Sequence, residues 1–172
     1  AAKQSVAAYA AAERATIIVR PLSPERVPGQ SDGQNLWRVG MQFVNIGNTA
    51  PRQVAIRLLI GGKAAIKIPS GATKAPKSPD WDASLINSHP GLVADIGPHE
   101  STRLWTNAFA ESGLMGDDNS RTFFYGTVIY DDVFKTTHRR EFCLTTFRAP
   151  GQAVPGVYYC DLHNCEDEQC DQ

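Results

Sequence analysis

The sequence predicts an all-β chain: a single antiparallel β-sandwich of about seven to eight strands behind a short N-terminal α-helix. Three observations lead there. Residues 36–45, LWRVGMQFVN, alternate cleanly, with Trp37, Val39, Met41 and Phe43 pointing one way and Arg38, Gly40 and Gln42 the other. That period of two marks a sheet with one buried face. Residues 122–147, TFFYGTVIYDDVFKTTHRREFCLTTF, read as two long strands joined by a tight turn at Asp131-Asp132. Beyond residue 14 there is little helix signal, and Gly, Pro, Asn and Asp cut the chain into short runs. With 172 residues the chain is long enough for one domain with a real core and short for two. The expected division is residues 1–15 as a helical connector, 16–148 as the sandwich and 149–172 as a Cys-rich acidic tail.

Residues 1–14, AAKQSVAAYAAAER, are rich in the best helix former, but the apolar stripe is thin and so short a helix is marginal alone in water. It reads as a solvated lead-in or as the membrane-proximal end of a longer helix. Residues 16–20, TIIVR, form a first strand, and Pro21, Pro24 and Pro28-Gly29 then enforce a loop to about residue 34. After the strand at 36–45, Asn45-Ile46-Gly47-Asn48 turns the chain. Residues 53–60 put Val54, Ile56, Leu58 and Ile60 in phase; Gly61-Gly62 breaks that strand, and residues 64–68 make a short further one. Residues 69–90, with Pro69, Pro76, Pro79 and Pro90, read as a long surface loop pinned by Trp81, either functional or an inert insertion. Strands at 92–96 and 101–106 flank the turn Gly97-Pro98-His99-Glu100, and residues 109–120 read as irregular or briefly helical.

In the long hairpin, Phe123, Tyr125, Thr127 and Ile129 share one face, and Phe124, Gly126, Val128 and Tyr130 the other. Aromatic and β-branched residues on both faces suggest a central strand, and the half-polar return strand a more exposed neighbour. The predicted core is Trp37, Val39, Met41, Phe43, Val54, Ile56, Leu58, Phe123, Tyr125, Ile129, Phe142 and Leu144.

Composition excludes some function classes. A net charge of −1 is no basis for a broad grip on nucleic acid. No run in the sequence approaches the roughly 18 apolar residues of a membrane span. The start at Ala1 and the Ala-rich lead-in set the expectation of a hydrophobic span upstream of this chain.

Four stretches carry a resemblance: AAAER-ATIIV before the first strand, LWRVGMQFVNIGNTAPRQV, YGTVIYDDVFKTTHRREFC, and a Cys with His163-Asn164 near the C-terminus. In this order they resemble a loose family of uncharacterised bacterial membrane-anchored proteins. Members of that family have one or two N-terminal transmembrane helices, an Ala-rich connecting helix and one immunoglobulin-like β-sandwich. The resemblance implies an immunoglobulin-like fold and anchoring at a bacterial membrane, with the side left open. It transfers no catalytic residue, since the family carries no established activity. The chain departs from the pattern in its last residues, NCEDEQCDQ, which are richer in cysteine.

The tail is the one dense cluster of reactive side chains. Cys160, His163, Cys165 and Cys170 offer three thiolates and an imidazole, the ligand types of tetrahedral zinc, at a spacing unlike the common finger patterns. Disulfides are the competing state, most simply Cys143 to Cys160 and Cys165 to Cys170; reduced structural thiols are the third. Compartment decides among them. The five carboxylates after Cys160, with no Lys or Arg, disfavour a reactive thiolate. His89, His99 and His138 lack a partner motif and read as exposed or satisfied; Asp117-Asp118 and Asp131-Asp132 sit in turns, where Asp serves the backbone. No nucleophile elbow, P-loop or zinc-protease helix is present. The function expected is therefore non-enzymatic: a protein-binding or scaffolding module, an accessory subunit in a membrane complex, needing no cofactor. A zinc-binding protein using the tail quartet is the alternative.

Overall fold

A computed structural model describes residues 13–27, 36–65, 92–110, 120–147, 152, 154–160 and 164–171. Residues 1–12 of the expected N-terminal helix, the 69–90 loop with Trp81, His89, Asp117-Asp118 and His163 lie outside these residues; Ala15, expected at the end of that helix, is buried in the core.

Among the described residues the chain forms twelve strands: β1 (Ile17–Pro21), β2 (Glu25–Arg26), β3 (Leu36–Arg38), β4 (Gly40–Asn45), β5 (Arg52–Ala65), β6 (Leu92–Ala94), β7 (Ser101–Trp105), β8 (Phe109–Ala110), β9 (Ser120–Asp131), β10 (Thr137–Phe147), β11 (Gly156–Tyr159) and β12 (Cys165–Glu166). Every pairing is antiparallel. One sheet runs β1-β4-β7, a second β2-β3-β8, and the third β11-β10-β9-β5-β6 with β12 also on β10. The fold class is thus all-β.

The strand count exceeds the expected one for local reasons. The run at 36–45 is divided at Val39, whose N–H goes to the Thr106 hydroxyl (3.0 Å) and whose carbonyl accepts from the Thr106 N–H (2.9 Å). The same three chain segments therefore continue from the first sheet into the second. Conversely, Gly61-Gly62 does not end β5. The strand passes through it with a shift of register between Gly61 and Ala64, because a glycine tolerates the bulge that keeps β5 paired along the length of β9. The tail contributes β11 and β12, both paired to β10.

One core is shared by side chains of two sheets. Ile17, Val19, Met41 and Phe43 come from β1 and β4, and Val54, Ile56, Phe124, Val128, Tyr130, Phe142 and Leu144 from β5, β9 and β10. Of the expected core, Trp37, Leu58 and Ile129 are half-buried and the other nine are buried. Phe43 and Phe142 meet edge to face, with centroids 5.8 Å apart, and so tie the sheets together. Gly126 lies opposite Phe142 in the β9–β10 register, and the Phe142 ring fills the space where a Cβ would stand. Asn45, fully buried, has its whole amide inventory used: Oδ1 accepts from Thr16 and Gly47 N–H, and Nδ2 donates to Thr49 and Gly97 carbonyls. It pins the turn after β4 to β1 and to the β6–β7 connection.

β9 is central and buried on both faces, as its composition predicts. Phe124, Val128 and Tyr130 enter the shared core; Phe123 and Tyr125 join Cys143 and Cys160 on the opposite face. β10 departs from expectation. Its half-polar sequence suggested an exposed neighbour, yet His138 and residues 141–146 are all buried. Two of the buried polar side chains, His138 and Glu141, face the tail, which pairs with this strand.

Candidate functional site

The chemistry-bearing residues meet where the tail folds back along β10. β11 pairs with the end of that strand through Leu144↔Tyr159 and Thr145↔Tyr158, and Cys160 N–H continues the ladder to the Cys143 carbonyl (3.0 Å). Cys143 and Cys160 are joined as a disulfide with Cα atoms 5.3 Å apart. There the tail leaves the ladder, and the Asn164 side chain bridges the gap. Its Oδ1 accepts the Cys143 N–H (3.2 Å) and its Nδ2 donates to the Cys160 carbonyl (2.7 Å). β12 then rejoins β10 as Arg140↔Glu166 and Glu141↔Cys165. A 3-10 helix, Asp167–Asp171, brings Cys170 back to Cys165, and these two form the second disulfide with Cα atoms 5.1 Å apart. Both bonds follow the simplest pairing open to the sequence.

Beside the disulfides sits a carboxylate–imidazole–carboxylate clamp. Asp132 opens the β9–β10 turn, and its Oδ1 accepts the N–H groups of Phe134 (2.8 Å) and Thr136 (2.9 Å). Its Oδ2 faces His138 Nε2 at 3.1 Å. His138 Nδ1 faces Asp167 Oδ2 at 2.8 Å, while Asp167 Oδ1 accepts the Arg139 N–H, also at 2.8 Å. A ring with a carboxylate at each nitrogen is satisfied only as imidazolium, with both nitrogens donating. Burial opposes that charge, but the hydrogen bonds to Asp167 and Asp132 outweigh it and hold the His138 pKa above its ordinary 6.5. Burial would likewise raise the Asp132 carboxyl; the His138 contact and the Thr136 and Phe134 N–H groups overcome it and keep the carboxyl below its ordinary 3.8.

The adjoining charges are also matched. Arg139 pairs with Glu141, and Arg140 donates to the Ile17 carbonyl (2.8 Å) and lies 3.7 Å from Glu166. Arg14 approaches the other Glu166 oxygen at 3.7 Å. Tyr130 hydroxyl sits between the Ala15 carbonyl and the Ile17 N–H, both at 3.4 Å, and desolvation pushes its pKa up to about 12.

No family model, curated protein or solved structure matches this chain. The reading of the site therefore rests on its geometry. Both ring nitrogens of His138 are engaged, and the clamp ties the start of the 3-10 helix in the tail to the β9–β10 turn. Among the described residues, two groups have ligand atoms close enough for one metal ion: His138, Glu166 and Asp167, and Glu141, Cys165 and Cys170. The first is occupied by the clamp's own hydrogen bonds.

Of the quartet expected to hold zinc, Cys160 is bonded to Cys143, Cys165 and Cys170 are bonded to each other, and His163 lies outside the described residues. A disulfide sulfur is no thiolate, so ligation by that set requires both bonds to be reduced. Sequence reasoning read His138 as exposed or satisfied and missed both of its partners; it is buried and paired at both ring nitrogens. The available signal was Asp132, six positions before it across a hairpin turn; Asp167, 29 positions on, left none.

The Cys143–Cys160 bond closes a loop of 17 residues. Its loss is expected to cost about 3 kcal/mol in the chain-entropy picture. The measurement is urea unfolding of Cys143→Ala/Cys160→Ala against the parent chain, and an unchanged midpoint would refute it.

Proposed function

We propose that this chain is a non-enzymatic protein-binding or scaffolding module. In this reading the two sheets that share the core are an immunoglobulin-like β-sandwich. An anchor upstream of Ala1 holds it at a bacterial membrane, where it serves as an accessory subunit of a larger complex.

The observation that supports the binding role is the open edge of β11. Cys160 N–H donates to the Cys143 carbonyl, so Cys160 turns its backbone toward β10, and by the two-residue alternation so does Tyr158 opposite Thr145. Val157 and Tyr159 between them direct their N–H and C=O groups away from β10. No strand among the described residues pairs with that edge. Tyr158 and Tyr159 on it are 48% and 49% exposed, and Val154 just before it is exposed as well. An unpaired strand edge carrying exposed aromatics suits strand addition by a partner protein. Tyr159 hydroxyl donates to the Val19 carbonyl of β1, which holds this edge against the neighbouring sheet.

Disulfides persist in oxidising compartments, which supports a domain on the extracytoplasmic side. Among the described residues no helix is long and apolar enough to cross a membrane. The anchor is checked separately, by finding a stretch of about 17–25 apolar residues upstream in the full reading frame.

The binding role is tested with a photocrosslinking residue at position 158 or, as control, at exposed Arg103 on β7, in the membrane-bound full-length product. A discrete crosslinked protein from position 158 and none from 103 is the expected result. Equal labelling from both positions, or none from 158, would overturn the edge-docking reading.

A further inference from the structure

We propose that the Cys165–Cys170 disulfide is the closed form of a metal site, and that after reduction Cys165, Cys170 and Glu141 together hold one soft divalent cation such as zinc. This is not the tail quartet of the sequence: Cys160 is committed to Cys143, and the third donor comes from β10, 24 positions before Cys165.

The donors already converge. One ligand atom from each of Glu141, Cys165 and Cys170 lies within 4.8 Å of the others. Glu141 Oε2 is 3.9 Å from Cys165 Sγ. In a tetrahedral zinc site, with bonds of about 2.0–2.2 Å to oxygen and 2.3 Å to sulfur, two such donors stand roughly 3.5 Å apart. A shift of a few tenths of an ångström therefore suffices for this pair.

The backbone supports the same arrangement. Glu141 and Cys165 are direct partners in the β10–β12 register, so their side chains emerge on one face. Cys170 is carried in by the 3-10 helix, and it is the donor that must swing away as the disulfide opens.

Glu141 is also prepared for a ligand's role. It is only 4% exposed, and Arg139 pairs with its Oε1 while Oε2 faces Cys165 Sγ. A carboxylate held through one oxygen by an outer partner, with the other presented to soft donors, is the usual support of a metal site. The Arg139 charge also offsets the excess negative charge of two thiolates and a carboxylate around a divalent ion. Three protein donors leave a fourth position for water.

Access separates the two disulfides. Cys143 is fully buried and Cys160 nearly so, whereas Cys165 and Cys170 are partly exposed. A small dithiol therefore reaches the outer pair first. One of its thiolates attacks a sulfur of the pair, breaking the S–S bond and forming a mixed disulfide. Its second thiolate resolves that intermediate. The reagent leaves as its cyclic disulfide, having given two electrons, and Cys165 and Cys170 are left as thiols. Metal binding then releases both thiol protons to the buffer. In an oxidising compartment the site stays shut; a dithiol reductant opens it.

The test uses cobalt(II) as a spectroscopic probe on the whole chain, before and after limited treatment with dithiothreitol, with mass mapping to verify that Cys143–Cys160 survives. The oxidised chain should show no sulfur-to-cobalt charge transfer. The partly reduced chain should take up one equivalent with charge-transfer and tetrahedral ligand-field bands. Glu141→Gln should weaken binding roughly tenfold or more. Because Glu141 is buried, circular dichroism accompanies that variant, and the outer pair is tested independently by Cys165→Ser/Cys170→Ser, which should abolish the bands while keeping the fold. Equal bands before reduction, none after it, bands surviving the double serine change, or undiminished affinity in a folded Glu141→Gln would each overturn the proposal.

Discussion

Replacing His138 by Ala is expected to destabilise the domain by about 3–5 kcal/mol, the usual cost of removing one partner from a buried charged pair. The change leaves Asp132 Oδ2 without its partner, on a side chain as buried as the imidazole itself. The Asp167 end is about a third open to water, so its ion pair adds little beyond orientation. The Arg139 N–H still donates to the other Asp167 oxygen, so the start of the 3-10 helix keeps one of its two ties to β10. The effect depends on pH in a defined sense. His138 has a folded pKa above 6.5, so its contribution is fully present below 6.5 and is lost as pH rises through the folded value. Asp132 is held below 3.8, so its contribution is present above 3.8 and is lost as pH falls through the lower folded value. The clamp is therefore strongest between those two ordinary values. Urea unfolding of parent and His138→Ala across pH 4–9 measures this. The parent should lose stability on the alkaline side of the window, and the variant should not. Parallel pH profiles would show that the imidazolium does not carry the contact.

Phe142→Ala is the second large loss, about 3–5 kcal/mol for a buried phenylalanine, and it tests the packing of β9 against β10 when combined with Gly126. Gly126→Ala by itself drives a methyl into the Phe142 ring, and overpacking of this kind costs about 1–3 kcal/mol. The ring cannot simply move aside, because Phe43 holds its edge from the other sheet. In the double variant the methyl enters space the ring has vacated. The two changes together should then destabilise no more than Phe142→Ala alone. Strict additivity in chemical denaturation would mean that the ring does not occupy the glycine's missing side chain.

The fold was legible where it depends on near neighbours. The alternation of Trp37, Val39, Met41 and Phe43 set the phase of its strand, and the three buried members follow it. Of the expected turns, the first begins at Asn45, the last residue of β4, and residues 97–100 lie between β6 and β7. Gly61-Gly62 misled, because a glycine pair weakens a strand locally and cannot report that a long partner strand keeps it paired. β10 misled for a related reason. Its polar residues look solvent-facing until their partners in the tail are in place.

The site was legible by halves. Four cysteines with these spacings pointed to the two bonds that formed, since the Pro150–Gly156 stretch can reverse the chain and Val157 to Tyr159 can add a strand. By itself, then, the sequence determined an antiparallel β protein and offered these two bonds as the simplest pairing, with free thiols and zinc left open beside them. Strand faces, turns and cysteine spacing are properties of residues close together in the chain. Only the tertiary structure decided that His138 lies between Asp132 and Asp167, and that Glu141 stands beside Cys165. Those contacts join residues 24 to 29 positions apart, apart from the turn-spanning Asp132. Their meeting follows from how the tail re-enters register on β10, which no local pattern encodes.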